Sequence, residues 1–216
     1  MTIALLFSGL FAFGTKMLTT VTGPDGGLYL TSLGQLIYAS PLKWVVMLAP
    51  LGMVFWLSAR MNSMSASRAR TMFYVYSALM GLSLSSILLT FSMPSVARAF
   101  FVTAGAFAAL SLYGYTTKRS LSALGSFLMI GLFGLIIASV VNIFIASTAM
   151  HFMISVGGVL IFAGLTAYDT QDIKNMYRAG DSIEVSAKKS IFGALRLYLD
   201  FINMFLFILQ LFGNRE

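Results

Sequence analysis

The sequence contains no cysteine and one histidine, His151, in 216 residues. Disulfides, thiol chemistry and iron–sulfur ligation are thereby excluded, and a His-based metal centre has too few ligands. Charge is scarce as well: 10% of residues are Asp, Glu, Lys or Arg, against about 25% in soluble domains. Seven residues are acidic and 14 basic, a formal net charge of +7. That excess does not point to nucleic acid, because the basic residues sit in short loops between apolar runs, where they set membrane topology. No cofactor is expected.

What is abundant is apolar. Hydrophobic residues make up 58% of the chain and the mean hydropathy is +0.88. The fold class that fits is all-α and polytopic, a protein whose direct partner is the lipid bilayer. Seven runs are long enough to cross it, near 2–22, 43–59, 71–93, 97–117, 121–145, 151–173 and 190–212. Their connections are too short for a soluble domain, so residues 1–216 read as a single seven-helix transmembrane domain. The first run begins at Met1 without the basic start or the cleavage site of a signal peptide, which suggests that a polar lead is missing. The first loop opens with Gly23-Pro-Asp-Gly-Gly27, a turn signal. Trp44 and Trp56 bracket the second span like interfacial anchors, and Pro50 should kink it. His151 reads as an interfacial residue.

Loop charge orients the chain. Arg60, Arg68, Arg70, Lys118, Arg119, Lys174, Arg178, Lys188 and Lys189 fall on one side, and Lys43, Arg98 and Arg215 on the other. The positive-inside rule puts the larger set in the cytoplasm, with the N-terminus inside and the C-terminus outside. Two stripes of small residues at helical spacing predict close helix contacts: Ser77, Gly81 and Ser85, and Gly134, Ala138 and Asn142. Asn142 stands out because a buried amide needs partners.

The last span carries the polar residues that matter most. Arg196, Asp200 and Asn203 lie at i, i+4 and i+7, on one face of a helix, and Gly193 and Gln210 extend that face. A carboxylate cannot face hydrocarbon cheaply, so this helix belongs at the centre of a bundle. Asp25, Asp181, Glu184 and Glu216 read as solvated loop or terminal residues, and Asp172 as an exposed residue at the end of span six. Asp169 and Asp200 remain. Asp169 sits one to two turns inside span six, and Asp200 roughly 16 Å into span seven at 1.5 Å per residue. If tilt brings them together, they cannot both ionise easily, and one proton serves both. If not, Asp200 pairs with Arg196 alone. A membrane aspartyl protease also uses two such carboxylates, and Tyr168-Asp169 looks like half of its signature. The other half, Gly-x-Gly-Asp, is absent, since Asp200 follows Leu197-Tyr-Leu199. No enzyme is expected.

Three stretches resemble the Bax inhibitor-1 family, also called the transmembrane Bax inhibitor motif family. They are Tyr76-Ser-Ala-Leu-Met-Gly-Leu-Ser-Leu-Ser-Ser86, Gly164-Leu-Thr-Ala-Tyr-Asp-Thr-Gln-Asp-Ile-Lys174 and Leu197-Tyr-Leu-Asp-Phe-Ile-Asn-Met-Phe205. Ala109-Leu-Ser-Leu-Tyr-Gly-Tyr-Thr-Thr-Lys118 is similar to its bacterial branch, which implies a bacterial inner membrane. The resemblance implies seven helices with the last one central, and a pH-sensitive calcium leak in which calcium is the transported ion and protons the regulator. It implies that Asp169 and Asp200 are the pH sensor, gate and transient calcium ligands. It further implies that a basic residue ending the second helix, matched best by Arg60, latches the pair. Arg196 departs from the small or neutral residue expected at its position and is a second candidate latch. Asn203 and Asn142 are candidates to line the path. Relatives that modulate membrane proteases or cell death imply an alternative, a regulatory protein with a membrane protease as partner.

Overall fold

The computed structural model describes residues 1–25 and 27–214. Gly26, Arg215 and Glu216 lie outside the described residues, and with them the outer-side arginine and the terminal carboxylate of the sequence reading. Seven helices are long and apolar enough to cross a membrane: α1 (Thr2–Thr19), α2 (Leu42–Arg60), α3 (Ala66–Leu84, continued by Ile87–Thr90), α4 (Met93–Thr116), α5 (Ser122–Ile145), α6 (Thr148–Met176) and α7 (Ile183–Phe212). The all-α, seven-span expectation holds, with short helical turns at Ser32–Gly34, Gln35–Ala39 and Met61–Ser63 and a hairpin added between the spans. The loop after α1 forms a hairpin, β1 (Thr20–Thr22) against β2 (Leu28–Leu30), antiparallel with Val21 opposite Tyr29. At its tip Asp25 accepts hydrogen bonds from the Tyr29 hydroxyl at 2.8 Å and the Gly27 N–H at 3.1 Å. These bonds hold its exposed carboxyl below the usual range, the Tyr29 bond most strongly.

The chain packs as two compact units. The first comprises residues 1–92 and 183–191. Its tightest contact is between α1 and α3. Ser77, Gly81 and Ser85 are all buried, and the Ser8 hydroxyl donates to the Ser77 carbonyl at 2.7 Å. A Cβ on Gly81 would stand 2.4 Å from the Ser8 carbonyl oxygen, so this crossing requires glycine. The small-residue stripe of α3 is a packing face, as its spacing predicts. Ser65 caps α3, accepting from the Arg68 N–H at 3.4 Å. Glu184 accepts from the Ala66 N–H at 2.7 Å. Glu184 is therefore not simply a solvated loop residue: it satisfies one of the orphan donors that every helix start presents.

The second unit comprises residues 93–182 and 192–214. Here α4 approaches α6 so closely that a Cβ on Gly114 would lie 2.1 Å from the Ala167 carbonyl oxygen. On α5 the contact glycines are Gly125, against the Tyr168 ring, and Gly131, against Ile161. The Gly134–Ala138–Asn142 stripe is not a contact face. Gly134 is exposed with open space beyond it. The residues that share this face at helical spacing, Phe127, Ile130, Val141 and Ile145, are exposed. Asn142 works at the helix end: its Oδ1 accepts from the Ser147 N–H at 3.0 Å, beside Ala146 at φ 53°. That bond braces the turn into α6, whose N-cap is Ser147.

The last helix is the most buried. Of its most apolar window 56% is buried, against 33% or less in the other six. Phe201, Met204, Ile208 and Leu209 are all core residues, and Phe100 and Phe107 meet Phe201 edge-on at 5.6 and 5.5 Å between centroids. A helix carrying an arginine, an aspartate and an asparagine stays in hydrocarbon only when neighbouring helices cover those groups.

Candidate functional site

The site is built by α5, α6 and the part of α7 in the second unit. Residues 166–174 of α6 supply most of its fixed points. Thr166 bonds back to the Phe162 carbonyl at 2.7 Å. Gln171 holds the α4–α5 loop from both ends of its amide, accepting from the Leu121 N–H at 2.8 Å and donating to the Arg119 carbonyl at 2.9 Å. Lys174 donates to the Tyr115 carbonyl at 2.7 Å and lies 4.7 Å from the centroid of its ring. These anchors fix the rotation of α6, so that Asp169 and Asp172, three residues apart, share one face.

Arg196 of α7 binds that face. Its Nε donates to Asp169 Oδ2 at 3.0 Å and its Nη2 to Asp169 Oδ1, a two-point grip on one carboxylate. Its Nη1 donates to Asp172 Oδ2. The guanidinium also lies 5.9 Å from the Tyr168 ring centroid and 5.8 Å from that of Phe192. Bidentate charge-assisted pairing between planar aromatic groups fixes both position and orientation. Asp172 is thus a site residue that its place at a helix end concealed. Its spacing from Asp169 and the arginine on the following span were the available signals.

Asp200 lies one turn beyond Arg196 and is 4% exposed; Asp169 is 7% exposed. The two carboxyl groups lie close enough to interact electrostatically. The tilt that the sequence left open is therefore present, and the simple Arg196–Asp200 pair is not: Arg196 is committed to Asp169 and Asp172. Asp200 Oδ2 is buried and, among the described residues, receives no hydrogen bond. A carboxylate facing another carboxylate has no donor unless one of them carries a proton. The site therefore gathers three carboxyl groups around one guanidinium, which binds two of them.

A cavity of about 570 Å³ opens beside the pair, with Asp169, Arg196, Asp200, Asn203 and Ser139 among its lining residues. The rest of its wall is aliphatic and aromatic, including Leu132, Ile136 and Phe162. Asn203 lines it while its amide donates back to the Leu199 carbonyl at 2.8 Å. Asn142 is not among the lining residues and serves the α5–α6 turn instead. Arg60 is exposed at the C-terminal end of α2, in the first unit. Asp169's guanidinium partner is Arg196. Among the described residues no cluster of three His, Cys, Asp or Glu side chains could hold a metal ion.

Comparison with known proteins follows the same residues. A family model described as "Inhibitor of apoptosis-promoting Bax1" matches residues 1–216. The chain is 49% identical over 173 residues to the inner membrane protein YbhL of Escherichia coli, covering 79% of this chain and 74% of that one. It is 44% identical over 216 residues to an uncharacterized protein of Caulobacter vibrioides, covering 99% and 85%. It is also 40% identical over 216 residues to one of Rickettsia prowazekii, covering 100% and 86%. The chain is a multi-pass membrane protein, and it belongs to the Bax inhibitor-1 family.

Proposed function

We propose that this protein is a proton-gated, calcium-permeable leak of a bacterial inner membrane and not an enzyme. It works without a cofactor, with its N-terminus in the cytoplasm and its C-terminus outside. The observation that carries the reading is Asp200: a buried carboxyl group beside a second one, whose Oδ2 receives no hydrogen bond among the described residues, at the wall of a cavity.

In the closed state one proton bridges Asp169 and Asp200, and Arg196 holds Asp169 from the other side. Raising the pH removes the bridge. Two adjacent carboxylates in a poorly solvated core then repel, and α6 and α7 separate at the site. Hard divalent cations prefer oxygen ligands, and Asp200 with the Asn203 carbonyl offers them. Two or three oxygens are too few for a tight calcium site, which suits passage rather than storage. Arg196 opposes cation entry where it stands, so its commitment to Asp169 and Asp172 is part of the gate. Arg60 has no role in this account.

The family description, which names inhibition of an apoptosis-promoting protein, favours a second reading. In it the chain regulates a partner such as a membrane protease, and the polar core is structural. Purified protein in calcium-loaded liposomes separates the two. A leak passes calcium alone, faster at higher pH; a regulator gives the flux of empty liposomes at every pH.

A further inference from the structure

The cavity beside Asp200 has a composition that ion passage does not account for. A cation path is expected to be polar along its length. This cavity is apolar over most of its wall, and Met129, Ile136, Val140 and Ile143 on its α5 side are exposed. In a bilayer such a face meets acyl chains. At about 570 Å³ it falls within the range of roughly 300–1,000 Å³ typical of small-molecule sites.

Its polar end is short of donors. The Ser139 hydroxyl donates to the Leu135 carbonyl at 2.7 Å, and the Asn203 amide to the Leu199 carbonyl at 2.8 Å. Arg196 is held by Asp169 and Asp172. Asp200 Oδ2 receives nothing among the described residues. The complement of an aliphatic wall ending in an unsatisfied carboxylate is an aliphatic chain ending in a cationic donor.

We propose that this cavity is a binding site for single-chain cationic amphiphiles, entered from the lipid side, with the apolar chain along α5 and a protonated amine at Asp200. The inference rests on the shared-proton pair of the proposed function but not on ion flux. The amine takes the place of the bridging proton: it supplies the donor that Asp200 lacks and adds the positive charge that three carboxyl groups around one guanidinium leave wanting. Binding therefore strengthens as rising pH takes the proton from the pair, while an alkyl amine, with a pKa near the roughly 10.4 of a lysine, keeps its own. The charged groups facing the amine are Asp200 and Arg196 from α7 and Asp169 from α6, with Asp172 behind Arg196; α5 contributes no charged residue to the wall.

The test is thermal unfolding of the full chain in phosphatidylcholine nanodiscs with dodecylamine, dodecanol or dodecanoic acid. Dodecylamine should raise the melting temperature more at pH 7 than at pH 5, dodecanol should act weakly and equally at both, and dodecanoic acid should give no shift. Asp200→Asn should weaken dodecylamine at least about tenfold, the loss of one charge-assisted hydrogen bond. Ile136→Trp, which fills the apolar wall and leaves the aspartates intact, should abolish the shift, and it keeps the test decisive if Asp200→Asn does not fold. Equal shifts from all three compounds, no pH dependence for the amine, or undiminished amine binding in either variant would overturn the proposal. A protein that binds dodecylamine in this way yet passes no calcium would refute the leak and leave this site standing.

Discussion

Replacing Arg196 by Met is the most informative single change in the protein. Methionine keeps the apolar stem and its volume but removes the guanidinium and its bonds to Asp169 and Asp172. The side chains of Arg196 and Asp169 are 23% and 10% exposed, so this pair is closer to a buried ion pair than to a surface one. Breaking such a pair from one side costs about 3–5 kcal/mol, because the remaining charge stays buried without a partner. Asp169 can relieve part of that by taking up a proton, so we expect a loss near the lower bound, about 3 kcal/mol. For a chain of this size that corresponds to a melting temperature lower by roughly 6–12 °C. Asp172→Asn is the internal control. Its side chain is 40% exposed, and a solvent-screened contact of that kind is worth less than about 1 kcal/mol. With the cation gone, nothing opposes the bridging proton, so the midpoint of the pH response in Arg196→Met moves to higher pH. Unfolding followed by intrinsic fluorescence in detergent, with calcium flux across a pH series, reads both quantities. A melting temperature and pH midpoint equal to the unmodified protein's would refute the reasoning and place the guanidinium among the headgroups.

Other expectations follow from the packing and the hairpin. Gly114→Ala puts a methyl group where the Ala167 carbonyl oxygen now stands 2.1 Å away; overpacking of this kind costs roughly 1–3 kcal/mol, and a thermal melt should show it, whereas Gly134→Ala, facing open space, should be neutral. The bonds of Tyr29 and Gly27 to Asp25 lower its carboxyl pKa, so their contribution to the hairpin is present above the usual carboxylate range and lost as pH falls through the lowered value. Protection of the Gly27 amide, its exchange rate relative to the intrinsic rate at the same pH, should fall at acidic pH, and Asp25→Asn should remove that dependence. A reporter fused after Glu216 should face the external compartment; strong cytoplasmic activity would reverse the proposed orientation.

Sequence and structure agree where a pattern is long. Runs of about twenty apolar residues are read from hydropathy alone, and the polar stripe on 190–212 singles out the helix that is most buried. Disagreement begins where the signal is short or depends on a partner. Three-residue strands carry too little alternation to register, which hid the hairpin. The Ser77 and Gly134 stripes have the same spacing, and only the presence of α1 against the first separates a packing face from a lipid face. Asp172 and Glu184 looked solvated because both lie near helix ends; Arg196 and the N–H groups at the start of α3 are their partners. Periodicity could align Arg196 with Asp200 on one face. It could not show that α6 presents two carboxylates to the same guanidinium and turns it away from Asp200.

The central claim is that one proton shared by Asp169 and Asp200 closes a calcium path. Its most direct test is calcium efflux from liposomes containing the unmodified protein, Asp169→Asn or Asp200→Asn, each measured across neutral pH. The unmodified protein should leak faster as pH rises, over a window of about one to two units set by the pair. Asp169→Asn should lose the pH response and still pass calcium past Asp200, whereas Asp200→Asn should lose both. A wild-type pH profile in a variant with both aspartates neutralised would contradict the account.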